Sequence, residues 1–528
     1  MSRTRFTVCR GWVAAILLPL LIVALGCQSG GERRPAAHAV TVQPTGDTVR
    51  SARPPNPSSL GVVAARAEET TAAAPPPPAP DAGRTAAPPP CAEYPIDLAT
   101  ALALAGSANP TIALAQEAVR ASEAERLQAD ALLLPTLHAG ADVNIHRGNL
   151  ESSRGLILDV DRQSAYVGGG AAAVGAGTVN VPGVRVVGHL ADALFEPLAA
   201  RQRVTGASFE ALATRNTTLL DVAVRYFDLL GAEARLAAAR QSEAEFREVA
   251  DLTANFARTG QGRQADADRA QGDLLLVRAE VVQAAEVVAT AAAELARLLS
   301  LDPTTRLRPA DDLLAPVTLV PPGERLERLV QLAVSLRPEV GARSAAVAFG
   351  ETRLREERVR PFVPLLSVGY SAGGFGGGSD LVDTRFGHFS GRADFDAAAV
   401  WSLANFGLGN LAVQRQRQAA IGEAEAERQR VIDQVRREVA EAFGLAAARR
   451  QELESAQRQL TSAREGARLD LLRARNLEGR PIEVLNSLRL LDSARQDLIR
   501  ATVRHNQAEY QLFVALGQPP TLAVTVGD

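Results

Sequence analysis

What most constrains this chain is where proline is missing. The sequence holds 30 prolines, yet none lies between Pro197 and Pro303 and none between Pro364 and Pro481. A proline inside a helix removes a hydrogen-bond donor and clashes with the preceding turn. Both stretches are dominated by Ala, Leu, Arg and Glu, all good helix formers, so each predicts very long helices. At ~1.5 Å per residue, a helix from about Ala199 to Arg258 is on the order of 90 Å long. The return leg carries a seam of Leu274, Val277, Val281, Ala284, Val288, Ala291, Leu295 and Leu298. Its alternating steps of three and four are the heptad signature of helices that wind around partners. An extended helical tube or a long hairpin rod satisfies these lengths.

The reversals fall at Arg258-Thr259-Gly260-Gln261-Gly262-Arg263 and at Asn476-Leu477-Glu478-Gly479-Arg480-Pro481. Gly260, Gly262 and Gly479 supply the backbone angles that helix ends need, and Pro481 suits a first helical turn. Asp266 and Glu483 sit near the new helix starts, where negative charge is favoured.

The body repeats itself once. Leu98, Leu102, Leu104, Ala105 and Asn109-Pro110 match Leu326, Val330, Leu332, Ala333 and Arg337-Pro338 at an offset of 228. Leu134-Pro135-Thr136-Leu137 matches Val363-Pro364-Leu365-Leu366 at 229, and Gly262-Arg263 with Asp266 matches Gly479-Arg480 with Glu483 at 217. The first half therefore holds about 12 extra residues, which fit a longer loop between Gly148 and Gly183. A Pro-rich connector from Asp302 to Gly323 joins the halves across the outside of the helical body.

After Pro135 the apolar period drops to two. Leu137, Ala139, Ala141, Val143 and Ile145 alternate with His138, Gly140, Asp142, Asn144 and His146. Leu366, Val368, Tyr370 and Ala372 do the same in the second half. Val184, Val186, Leu190 and Leu194 alternate with Arg185 and His189, and Phe389, Ala393, Phe395 and Ala397 with His388, Ser390, Arg392, Asp394 and Asp396. Each segment runs ~9–11 residues, the length of a tilted membrane-spanning strand with one apolar and one polar face. A water-soluble sheet with one wet face has the same pattern. Four strands per chain cannot close a barrel, and lipid tolerates no open edge. If the strands cross a membrane, several chains share one barrel and the polar positions line its lumen.

The N-terminus reads as an export signal over 1–26. Arg3, Arg5 and Arg10 precede an apolar run from Val13 to Leu25 that ends in Gly26-Cys27, too short for an ordinary spanning helix. Ala24-Leu25-Gly26-Cys27 resembles a lipobox, which makes Cys27 the expected acylation site. Residues 27–93 are rich in Pro and Ala and read as a disordered tether. Cys91 is then the one other cysteine past the signal, so no disulfide is expected within the mature chain. Net charge is −3 over 528 residues, every basic residue is arginine, and the six His show no metal-ligand spacing. These features point to no nucleic acid, metal or other cofactor.

In this order and spacing, the chain resembles the TolC-like outer-membrane efflux family. The resemblance rests on Asn109-Pro110 with its helix ending at Leu134-Pro135, and on Gly262 with Asp266 before the Ala-rich return to Leu298-Leu299-Ser300-Leu301-Asp302-Pro303. It also rests on Trp401-Ser402-Leu403-Ala404-Asn405-Phe406-Gly407 and the ending Phe513-Val514-Ala515-Leu516-Gly517. Leu194-Phe195-Glu196-Pro197 departs from it, having no Asn-Phe-Gly. The resemblance implies mainly α structure with membrane β: a long α-helical coiled-coil barrel, with four strands per chain in a shared twelve-stranded barrel of a homotrimer. The two repeats would cover 94–302 and 324–520, with a linker at 303–323 and a tail at 521–528. It implies a passive duct from periplasm through the outer membrane, embedded in its lipid. A periplasmic adaptor and an inner-membrane pump, of an efflux or type I secretion system, would serve it.

Expected lumen residues are His138, Asp142, Asn144, His388, Arg392, Asp394 and Asp396, with Asp394 and Asp396 hinting at a weak cation preference. Family members close at the helical tip, so Arg258, Arg263, Asp266, Asp268, Arg473, Arg475, Arg480 and Glu483 become gate or adaptor-contact candidates, with solvated helix ends as the plainer reading. No Walker A, HExxH or nucleophile elbow is present, so no enzyme is expected. Gly373-Gly374-Phe375-Gly376-Gly377-Gly378 follows a strand and opens no helix, so an extracellular loop is expected there. A periplasmic adaptor or structural coiled-coil lipoprotein is the competing reading; it would lack the alternating strands and the duplication.

Overall fold

A computed structural model describes residues 93–169, 171–173, 179–181, 184–302, 304–310, 314–381, 383–476 and 480–521. The expected signal 1–26, Cys27 and its tether up to residue 92, Cys91, Gly479 and the tail beyond Thr521 lie outside the described residues.

Asp97 and Asn109 show how the body starts. Asp97 caps α1 (Leu98–Ala108) by accepting from the Thr100 amide at 2.7 Å, a bond that holds its carboxyl below the ordinary value. Asn109 caps α2 (Pro110–Asp130) by accepting from the Thr111 amide at 2.8 Å, while its own amide donates to the Leu298 carbonyl at 2.8 Å. Such caps satisfy donors that the first turn cannot pair internally. Ahead of them, β1 (Glu93–Ile96) pairs in parallel with β8 (Arg306–Pro309), so the connector expected to be irregular contains a short strand.

Four helices dominate. α3 (Leu190–Arg258) and α7 (Leu408–Arg475) run 69 and 68 residues, and the returns α4 (Gln264–Leu298) and α8 (Pro481–Ala515) run 35 each. α5 (Leu326–Leu336) and α6 (Pro338–Val359) stand in the second half where α1 and α2 stand in the first. α3 begins ahead of Pro197, not after it, which takes Leu190 and Leu194 out of the expected strand. His189 caps it, Nδ1 accepting from the Ala191 amide at 3.2 Å, and Ala191, Ala193, Ala199 and Ala200 are buried around the proline. Their packing outweighs the one bond that a proline near a helix start removes.

The heptad seam faces inward as its period predicts. Leu274, Val277 and Leu295 are buried, and Val281, Ala284, Val288, Ala291 and Leu298 are half-buried. Towards the helical turns one core joins all four helices, with Phe246 and Val249 against Leu274, Val277, Ala467, Leu485 and Leu488. Further along, Tyr226, Phe227 and Leu229 pack with Leu102, Leu295 and Tyr510, and Val439 and Leu512 with Leu329 and Ala333. Burial pushes the Tyr510 hydroxyl up to about 12.

The remaining strands are β2 (Thr136–Leu137), β3 (Gly140–Glu151), β4 (Ile157–Gly169), β5 (Ala171–Ala173), β6 (Val179–Val181), β7 (Val184–His189), β9 (Leu365–Ser379) and β10 (Asp383–Val400). β9 pairs with β10 along one edge. Along its other edge, β7 matches Leu365–Tyr370 and β4 matches Ala372–Ser379. β2 and β3 lie outside β7 and β4 in turn. The sheet is therefore four strands wide, and its second strand is built from two segments, β4 and β7, interrupted by the small β5–β6 pair. This corrects two expectations. Residues 157–169 form a ladder and not a loop. The Gly373–Gly378 run lies inside β9, paired on both sides. β3, β4, β9 and β10 run 12, 13, 15 and 18 residues, longer than alternation alone indicated.

Candidate functional site

Two regions of this architecture carry function-bearing chemistry: the faces of the sheet and the two helical turns.

Register places Asp142 opposite Tyr166 and Asn144 opposite Ser164, and Tyr166 in turn opposite Phe375. It also places Arg392, Asp394 and Asp396 opposite Gly373, Ser371 and Gly369. Residues directly across a ladder share a face, so these five expected lumen residues lie together. His138 sits in the break between β2 and β3. His388 sits where the β9–β10 pairing slips, with φ of 53°. Neither is a regular member of the polar face. The face is internally compensated. Arg392 bonds Asp394 at 2.8 Å and lies 5.3 Å from the Phe375 ring, and Arg185 donates to Ser367 at 3.0 Å and pairs with Asp396 at 3.7 Å. Both acids behind the expected cation preference are thus matched by arginines, and that preference has no support here.

Glycine on β9 makes room for this face. A Cβ at Gly373 would lie 2.5 Å from the Tyr166 hydroxyl, and one at Gly369 would lie 2.6 Å from Asp396 Oδ1. The opposite face is apolar and bare: Val143 (66%), Ile145 (60%), Val167 (60%), Val368 (42%), Tyr370 (52%) and Phe395 (71%) are exposed. β3 and β10 each pair on one side only.

Where helices meet sheet, an ionic cluster fixes the junction. Glu356 is 1% exposed and accepts from Arg353 at 2.7 Å and from Arg360 at 2.6 Å. Arg353 also pairs with Glu196, Arg360 with Asp192, and Arg417 with Glu357 at 3.6 Å. α3, α6 and α7 are thereby locked together. Burial raises the Glu356 carboxyl against the pull of its two arginines.

At the opposite end, the two turns meet around a cavity of about 540 Å³. Val249, Leu252, Phe256 and Val484 give it an apolar floor, and Arg263, Asp266, Arg269 and Arg480 rim it. Three of the gate candidates, one from beside the first turn, one from the start of α4 and one from the second turn, therefore share one site. Arg258 bonds Asn255 on its own helix, Gln264 bonds Asp268 at 2.9 Å, Arg473 lies 3.9 Å from Asp470, and Glu483 is exposed in the first turn of α8. Gly260 takes the left-handed conformation (φ 74°). Gly262 does not; a Cβ there would meet Phe256 Cβ at 2.9 Å, so close approach is what requires glycine.

The strongest ties between the hairpins were not among the expected residues. Arg475 pairs with Glu248 of α3 and not with Asp266. Arg489 pairs with Asp273, whose side chain is 7% exposed. Arg495, 9% exposed, holds Glu245 through two bonds of 2.7 Å and reaches Ser242 at 3.3 Å. One signal was readable: Arg278 lies 217 residues before Arg495 and also reaches α3, at Glu243, 3.2 Å away. Among the described residues no His, Cys, Asp and Glu group could hold a metal, and no single helix is long and apolar enough to cross a membrane.

No family model and no curated protein matches this sequence. Solved structures do. The outer-membrane channel OprN superposes with a TM-score of 0.63 at 19% identity, covering 80% of this chain and 90% of that one. The outer membrane protein VceC of Vibrio cholerae gives 0.61 at 16% identity, covering 80% and 96%. The CmeC outer membrane channel of Campylobacter jejuni gives 0.63 at 14%, covering 80% and 85%. The fold of this chain is that of these outer-membrane channels, the TolC-like fold to which the sequence resemblance pointed.

Proposed function

We propose that the chain is a passive exit duct, in which a β-barrel through the outer membrane continues into a helical tunnel across the periplasm. The observation that carries this reading is the sheet: four strands wide, apolar and exposed on one face, polar and charge-compensated on the other, with both outer edges unpaired. Lipid tolerates an apolar face but not an open edge, so closure needs strands from other chains. Three copies give the twelve-stranded barrel, with Asp142, Asn144, Arg392, Asp394 and Asp396 towards the lumen. The matching lengths of the helices in the two halves support the internal repeat. Acylation of Cys27 would add a lipid anchor.

The tunnel would close at the turns, where Arg489–Asp273 and Arg495–Glu245 tie one hairpin to the other and Arg263, Asp266 and Arg480 rim the cavity. An adaptor and an inner-membrane pump of an efflux or type I secretion system would dock there and supply the energy. Membrane fractionation followed by planar-bilayer conductance of the purified chain tests the reading. Outer-membrane location with small unitary conductance from a trimer supports it. A protein outside the outer membrane that conducts nothing overturns it in favour of an adaptor or scaffold.

A further inference from the structure

Phe406 is 99% exposed, and its backbone is left-handed. Asn405 (φ 50°, ψ 51°), Phe406 (φ 55°, ψ 32°) and Gly407 (φ 90°, ψ −15°) follow one another between β10 and α7. Left-handed backbone is unfavourable for a bulky L-residue, and full exposure of an aromatic ring to water is unfavourable as well. What offsets both lies outside a single chain. The ring has company: Trp401 (61%), Leu403 (62%) and Leu408 (71%) are exposed beside it in sequence, and Phe362 (80%) stands just ahead of β9. Leu365 and Val400 are directly paired, so Phe362 and Trp401 flank the same level of the sheet. Leu134 (67%) and Leu137 (73%) stand at the foot of β2.

We propose that this foot is a membrane-interface anchor, seated among the headgroups and upper acyl chains of the periplasm-facing leaflet. The inference rests on the reading of the sheet as membrane-spanning. Three observations favour lipid as the occupant over a second copy of the chain. The apolar residues continue the bare apolar face of β10 that ends at Phe395 and Val400. They run across the sheet's width, including the base of β9, which is paired on both sides and so is not an edge where a neighbouring chain would add a strand. Beyond them, towards the helices, Arg358 and Arg415 stand exposed, the second one two turns along from Leu408. Aromatic residues followed by cations match the glycerol and phosphate levels of a bilayer in that order.

Trp401 and Trp12 are the only tryptophans, so the Trp12→Phe full-length chain reports Trp401 alone. It is reconstituted in phosphatidylcholine vesicles brominated either close to the headgroup or near the chain end. A second chain, with Trp401→Phe and Phe395→Trp added, reports the middle of the apolar face. The expected result is loss of most Trp401 emission to the shallow bromines and much less to the deep ones, with the reverse order at position 395. If position 395 is quenched and Trp401 by neither lipid, the sheet spans but a neighbouring subunit covers its foot, and the anchor is overturned. If neither position is quenched, the spanning reading itself falls and takes the anchor with it.

Discussion

Arg450 on α7 donates to Glu509 Oε1 at 2.8 Å, and Glu509 on α8 is wholly buried. The second oxygen, Oε2, accepts from the Leu319 and Val320 amides at 3.0 and 3.3 Å. One turn away Asn506 bonds both Val317 and Ala315, each at 2.8 Å. These two side chains fasten the connector between the halves to the last helix. Glu509→Ala leaves two amides and a guanidinium without their acceptor. Because Arg450 is 30% exposed and can rehydrate, the expected loss is at the low end for a broken buried pair, about 3 kcal/mol. Thermal unfolding of the solubilised chain measures it; an unchanged melting temperature contradicts the assignment.

His505, 2% exposed, lies on the same helix face. Burial pulls its imidazole below the ordinary 6.5, against the opposing charge of Glu509 and a backbone bond with Val317, and with Arg450 acting in the same direction as burial. A lowered value means the folded state holds the neutral ring. Stability is therefore full above the unfolded value and is lost as pH falls below 6.5, because the unfolded chain takes up the proton first. His505→Gln is expected to flatten that acid limb between about pH 7 and about pH 5. Identical melting curves for both chains across that range would remove His505 from the account.

The gating ties are unequal. Arg475 and Glu248 are 52% and 46% exposed, and such a pair couples by less than about 1 kcal/mol. Arg495 and Asp273 are each under a tenth exposed. Arg489→Ala with Arg495→Ala should therefore raise closed-state bilayer conductance far more than Arg475→Ala with Glu248→Ala. Conductance unchanged by the first pair would mean that the turns are not held shut from within the chain.

The two turn glycines are expected to fail differently. Gly260 needs a positive φ, which asparagine tolerates better than other non-glycine residues, so Gly260→Asn should cost less than Gly260→Val. At Gly262 the obstacle is the 2.9 Å approach to Phe256, which any Cβ meets, so Gly262→Asn should gain no such relief. Limited proteolysis at the turns separates the outcomes.

Much of this was legible in order along the chain. The proline gaps and the heptad seam carried the long helices because one strong period ran uninterrupted for many turns. The limits of α3 did not follow, since its first turns read equally as alternation and only the packing of Ala191 and Ala193 decides. The Gly373–Gly378 run misled for a related reason. Its glycines answer to Tyr166, some two hundred residues away, and a contact across strands leaves no local pattern. The interhelical pairs were hidden likewise: arginine and glutamate are abundant on every helix, and only register selects Arg495 with Glu245.

α3 and α7 differ by one residue, and both returns have 35. The two turns can line one cavity only because both legs measure out the same distance from the sheet. The pair works as a yardstick whose reading is the depth of the compartment to be crossed. Lengthening one leg by a heptad would shift its turn by about 10 Å at 1.5 Å per residue and separate Arg480 from Arg263. Lengthening both legs and their returns together would keep the tip intact and move it that much further from the membrane.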